Sequence, residues 1–215
     1  IDAMGSIMSL LDGKGDQNYI TRNFCFYGLF DGCASMNTCP ELNSVYMTDF
    51  CYTYMFRGCT GITDAPELPA RLLAYSCYEG MFKNCTNLKN TPDFGEPLIM
   101  QDCYRDMFNN CTSLTEVSSL PSEPMALGAC MSMFEGCTSL AKAPAMPSKE
   151  LADMCYAYMY RGCVNLTDIS ELPAEQLAPR CYLGMYMDCK KMEKAPYLPA
   201  KVLEDRCYQN MFEQT

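Results

Sequence analysis

The chain has 215 residues, 49% hydrophobic and only 20% charged, a composition that supports a sizeable core and excludes disorder. Its 16 basic and 26 acidic residues give a formal net charge of −10 with no basic stripe, which argues against nucleic acid and against attraction to anionic membranes. No apolar run approaches the ~18 residues of a spanning helix; "IMSLL" at residues 7–11 stops at Asp12.

Residues 1–24 lack the pattern that fills the rest of the chain and read as an N-terminal cap that shields the first repeat unit. Within them, "DGKGDQN" at residues 12–18 places oxygen ligands at alternate positions, as a calcium loop does. Lys14 occupies a ligand position and no acidic residue follows at the right distance, so a turn is expected instead. The chain starts without a methionine and its last residues fall inside a repeat, which predicts a fragment or a processed product.

From residue 25 to residue 215 the sequence repeats every 26 residues without insertion or deletion, in seven full units and a partial eighth. With Cys25 as position 1, the pattern is C-Y-x-x-M-F-x-x-C-T-x-L-x-x-A-P-x-L-P-A-x-x-L-x-x-x. Position 5 is methionine in every unit but the first, from Met55 to Met211, with Leu29 before them. Position 6 runs Phe30, Phe56, Phe82, Phe108, Phe134, Tyr160, Tyr186, Phe212. Columns 12, 18 and 23 stay apolar throughout. One unit cannot bury such a face alone, whereas stacked units supply one another's core wall, so the pattern predicts a solenoid.

Inside a unit the apolar positions fall at 23, 27, 28, 31, 32 and 35, for example Leu73, Cys77, Tyr78, Met81, Phe82 and Cys85. Steps of four, one and three describe one face of a helix. Position 8 is Gly32, Gly58, Asn84, Asn110, Gly136, Gly162 and Asp188, residue types that tolerate the left-handed conformation, so the helix should close there after two to three turns. The following "CTxLxxAPxLPA" reads as a short extended segment, paired before position 16, which is proline in five of seven full units. The expected fold is therefore an α/β solenoid with one short strand and one short helix per coil. Strands stack about 4.8 Å apart and helices pack roughly 8–10 Å apart, which should curve the array with the strands on the concave side.

The 16 cysteines fall mainly in two columns: position 1 (Ala129 being the exception) and position 9, with Cys39 and Cys130 outside them. Eight helical residues would separate positions 1 and 9 by about 12 Å, beyond the ~7 Å between Cα atoms that a disulfide allows. Bridges between equivalent cysteines of neighbouring coils stay open as an alternative. Metal is disfavoured, because the chain has no histidine and no C-x2-C pair. The preferred reading is a set of small buried hydrophobes, supported by Ala129; it implies a reducing or anaerobic setting, or burial deep enough to resist oxidation.

"MFRGCTGITDAPELPARLLAYSCYEGMF" at residues 55–82, with "CTSLTEVS" at Cys111 and "CTSLAKAP" at Cys137, resembles the BspA-like leucine-rich repeats of bacterial surface proteins. The likeness covers residue 25 to the C-terminus. It implies a leucine-rich-repeat right-handed superhelix, in a secreted or surface-exposed protein of an anaerobic bacterium or a virion-associated one, and adhesion or ligand capture. The unit here is longer than the ~23 residues usual in that family.

No catalytic residues come with the family pattern. The lack of histidine excludes histidine-based triads, and there is neither a phosphate loop nor a dinucleotide fingerprint, so the chain is expected not to be an enzyme and to need no cofactor or metal. Three N-x-[ST] sequons, at Asn84, Asn110 and Asn165, are present, the first two at the cap position.

Candidate ligand-binding residues lie in the variable columns 14 and 17 of the strand segment: Glu41, Asp64, Glu67, Asp93, Glu116, Asp168, Glu171 and Tyr197. Solvent-facing drift, which neutrality alone would give, is the simpler account of such variation. As a functional surface they form an acidic concave strip suited to a protein or glycan ligand, with no nucleic acid and no membrane insertion; carboxylates one coil apart repel unless a cation or basic group lies across them. A larger chain or assembly is expected to cover the C-terminal coil. Two functions arise from different premises: extracellular or cell-surface adhesion, or a structural or receptor-binding part of a larger particle such as a phage appendage.

Overall fold

A computed structural model describes residues 2–215. The repeat is a solenoid: neighbouring coils are joined by backbone hydrogen bonds between residues 25 to 27 apart in sequence. Among the described residues the one regular helix is α1 (Ser9–Asp12), outside the repeat and closed by Gly13 at φ 73°.

The segment that the apolar spacing predicts as helix is instead a ribbon of consecutive turns. In coil three the N–H groups of Cys77, Glu79, Met81, Lys83 and Cys85 each bond the carbonyl three residues back. The alternate N–H groups, of Ser76, Tyr78, Gly80, Phe82 and Asn84, leave the ribbon and donate to Gln101, Cys103, Arg105, Met107 and Asn109 of the next coil, at 2.8–3.1 Å. Ser76, Gly80 and Asn84 have φ of 48°, 55° and 64°, so every fourth residue is left-handed. This explains the helix expectation and its failure. A ribbon with a period of four buries positions 1, 2, 5, 6 and 9, a spacing that a 3.6-residue helix also approximates. A helix would spend its N–H groups internally, four residues back; the ribbon turns half of them toward its neighbour. The left-handed expectation at position 8 holds in all seven coils, and positions 26 and 4 share that conformation.

Side chains stack in register along the ribbon. The position-6 rings form one column from Phe30 to Phe212 with centroids 5.5–6.0 Å apart. Rings at position 2 form two columns, Phe26 to Tyr104 and Tyr156 to Tyr208, separated where Cys130 replaces the aromatic. Met55, Phe56, Met107 and Phe108 are fully buried. Coils this close leave no room for helix-to-helix spacing, so the reason for expecting curvature toward a concave strand face disappears.

The predicted strand shrinks to isolated parallel bridges. At position 14 these are Asn90–Glu116 and Lys142–Asp168; at position 22 they are Tyr46–Leu72, Leu72–Leu98 and Gln176–Val202. The first set lies before the proline, as the sequence suggests; the second has no signal in the sequence. Between them, prolines at positions 16 and 19 remove the donors that a continuous ladder needs. Residues 2–20 lie against this side of coil one through Asp2–Thr38, Ser6–Glu41 and Tyr19–Tyr46, burying Ile7, Met8 and Ile20.

The cysteine columns are buried, with 13 of the 16 inaccessible and none in a disulfide. Position 9 has a role beyond size. The thiols of Cys59, Cys85, Cys111, Cys137, Cys163 and Cys189 donate to the position-6 carbonyl of the preceding coil at 3.0–3.1 Å. Thr215, at the same position, makes the equivalent bond through its hydroxyl at 2.9 Å. Burial pushes Cys59 up to about 11, so it remains a protonated donor, and pushes the position-1 thiols of Cys51 and Cys103 up to about 12.

Candidate ligand-binding surface

The side of the solenoid between the two bridge columns carries the candidate residues. Position 18 turns inward and is buried at Leu42, Leu68, Phe94, Leu120, Met146 and Leu172. In extended chain the flanking positions then point outward, and Glu41, Glu67, Asp93 and Glu171 at position 17 are all exposed. Asp64, Glu116 and Asp168 at position 14 are exposed as well, as is Tyr197, at 75%.

Because proline leaves the coils unpaired here, shallow grooves open between them. One of about 630 Å³ is lined by Pro40, Glu41, Pro66, Glu67 and Pro69. The next, about 610 Å³, is lined by Glu67, Pro69, Arg71, Asp93 and Pro97. Glu67 borders both, so the first three coils bring Glu41, Glu67 and Asp93 into one continuous strip. A separate groove of about 460 Å³ between coils five and six holds Lys142, Met146, Pro147, Asp168, Glu171 and Pro173. Glu116 borders a smaller hollow with Asn90 and Ser118. Tyr197 lines none of these grooves.

The carboxylates differ in their partners. Asp64 accepts from Thr63 Oγ1 at 2.7 Å and Asn90 Nδ2 at 2.9 Å. Asp168 faces Lys142 Nζ at 3.6 Å. Asp93 accepts the Gly95 N–H at 3.0 Å, and Glu41 accepts weakly from Asn43 at 3.4 Å. Glu67 and Glu171 have no hydrogen bond or ion pair among the described residues. Lys142 and Arg71, basic groups at the grooves, are missed by an acidic-column reading; the A-P-x-L-P-A spacing is the signal for the grooves themselves.

Other sequence features resolve structurally. Asp12 accepts the N–H groups of Gly15, Lys14 and Gln17, which hold its carboxyl down at about 2, so "DGKGDQN" is a turn built on Asp12. Asn84 and Asn110 are left-handed and joined side chain to side chain at 3.3 Å, and Asn165 donates to the Thr138 carbonyl at 2.7 Å. The position-2 tyrosines Tyr52, Tyr78, Tyr104, Tyr156 and Tyr182 are buried and offer no platform to a glycan; Tyr208 is partly exposed. No helix among the described residues is long and apolar enough to cross a membrane.

The sequence matches no protein-family model and no curated protein. Among solved structures it is similar to a leucine-rich-repeat protein of T. pallidum, at 23% identity over 81% of this chain and 71% of that one, with a TM-score of 0.48.

Proposed function

We propose that the chain is a non-enzymatic interaction module of the BspA-like leucine-rich-repeat kind, holding a basic segment of a protein ligand at a cell surface or outside the cell. The observation that carries this reading is the strip of Glu41, Glu67 and Asp93 along two adjoining grooves, with Glu67 unpaired. Unneutralised carboxylates one coil apart favour a cationic partner, and backbone freed by proline offers it hydrogen bonds. Buried tyrosines weigh against a glycan.

The test uses a lysine- and arginine-rich peptide as probe, titrated by calorimetry at low and high salt. Binding that weakens with salt and is lost in the combined variant Glu41→Gln, Glu67→Gln, Asp93→Asn supports the proposal. Equal binding by the variant overturns it.

A further inference from the structure

Beside the acidic row, the extended side carries a second row on the same coils. Tyr19, Tyr46, Leu72 and Leu98 are joined one to the next by parallel bridges and are 43–56% exposed. Single exposed apolar side chains are ordinary, but four in register form a stripe along the solenoid axis. Arg71 and Leu72 are both exposed, so the chain bends there, and the stripe forms the rim of the groove lined by Glu67, Arg71, Asp93 and Pro97. The two rows end together. Coil four has Ser119 at position 17 and Pro124 at position 22, and coil five has Ala145 and Glu150. Coils six and seven keep one kind of residue without the other, as Glu171 with Gln176 and Tyr197 with Val202. A carboxylate at position 17 is paired with an exposed apolar residue at position 22 only in coils one to three.

We propose that this double row docks a basic amphipathic helix of a protein partner, laid along the solenoid axis with one helical turn per coil. The inference rests on the acidic-strip reading above and gives its ligand a shape. Bridged strands stack about 4.8 Å apart, and an α-helix advances about 5.4 Å per turn. The two repeats drift by only about 0.6 Å per coil, so a side chain from each helical turn stays over its own coil across all three. An extended peptide lacks this match, because its like-facing side chains recur about every 6.8 Å and fall out of step by the second coil. Positions 17 and 22 are five residues apart, at most about 18 Å of extended chain. A helix with its side chains is about 10–12 Å across, and the long stems of lysine or arginine cover the remainder.

Charge selects the occupant. The two adjoining grooves are bordered by Glu41, Glu67, Asp93 and Glu96 against a single basic group, Arg71. Glu96 is held by Ser122, through its N–H at 2.8 Å and its Oγ at 3.0 Å, whereas Glu67 has no partner among the described residues. A helix with lysine or arginine along one stripe sets a cation opposite the carboxylate of each coil. Leucine-like side chains of the adjacent stripe then cover Tyr46, Leu72 and Leu98, removing both apolar surfaces from water. An anionic lipid surface would meet the same apolar row but be repelled by the carboxylates beside it.

The experiment compares two peptides of about 18 residues, or ~27 Å of helix, with the same content of lysine, leucine and alanine. In one, lysine and leucine fall on adjacent helical stripes; in the other, the order is scrambled. Calorimetry should find the amphipathic peptide binding about tenfold tighter than the scrambled one. Its circular dichroism should gain helix on binding, since isolated helices are marginal in water. Leu72→Ser with Leu98→Ser, at half-exposed residues, should keep the wild-type thermal melt, abolish the tenfold advantage and leave the scrambled peptide's affinity unchanged. Val202→Ser, in the same column of coil seven, should alter neither affinity. Equal, salt-sensitive binding of the two peptides overturns the helix proposal and leaves the acidic strip standing. An advantage that survives Leu72→Ser with Leu98→Ser also overturns it. Binding by neither peptide overturns both readings.

Discussion

The turn ribbon and the proline-rich side of each coil come from the same 26 residues and behave differently. In coils two to four the ribbon makes five inter-coil hydrogen bonds per step, with rings and thiols stacked in the dry interior. The other side makes isolated bridges and leaves grooves lined by proline and carboxylate. Cohesion is concentrated where every N–H has a partner, and sequence freedom where proline has removed the donors. A solenoid built this way can vary its outer residues from coil to coil without disturbing what joins the coils.

Raising the pH should attack the ribbon most. An unfolded thiol loses its proton near its ordinary value of 9, whereas Cys51 and Cys103 hold theirs to about 12. Stability is therefore full below pH 9 and falls between about 9 and 12, by about 1.4 kcal/mol per pH unit for each fully buried thiol. Thermal melts across this range should drop steeply; a flat profile would contradict burial of the thiols.

Phe108→Asp places a charge inside the ring column and should destabilise by about 4 kcal/mol or more. An unchanged denaturant midpoint would count against the stack. Gly136→Ala should lose about 2–3 kcal/mol, since φ is 73° and the Asn110 amide occupies the space a methyl would take. Gly32→Ala, with the same conformation and open space, should lose only about 1 kcal/mol. Equal losses would show that packing between coils adds nothing to the backbone strain.

Cys111→Ala removes the bond to the Phe82 carbonyl and should lose about 1–2 kcal/mol. Cys111→Ser keeps a donor and should lose less, the opposite of the order expected if sulfur serves only as a hydrophobe. On the proline side, Glu67→Ala should change stability by less than about 0.5 kcal/mol. A larger loss would mean that the strip is structural and not a surface left free for a ligand.

The repeat, its apolar columns, the left-handed position 8 and the exposure of Glu41 to Glu171 were legible in the sequence because each is set by local chemistry. Glycine and asparagine accept positive φ, and an apolar side chain recurring every 26 residues must be covered by its own copies. The grooves were half legible, in the prolines but not in Lys142 and Arg71. The choice between helix and turn ribbon was not legible: periods of 3.6 and four bury the same residues over two turns. Only stacking decides it. Half of the ribbon's N–H groups bond a residue 25 places ahead, and no local propensity registers a partner that far along the chain.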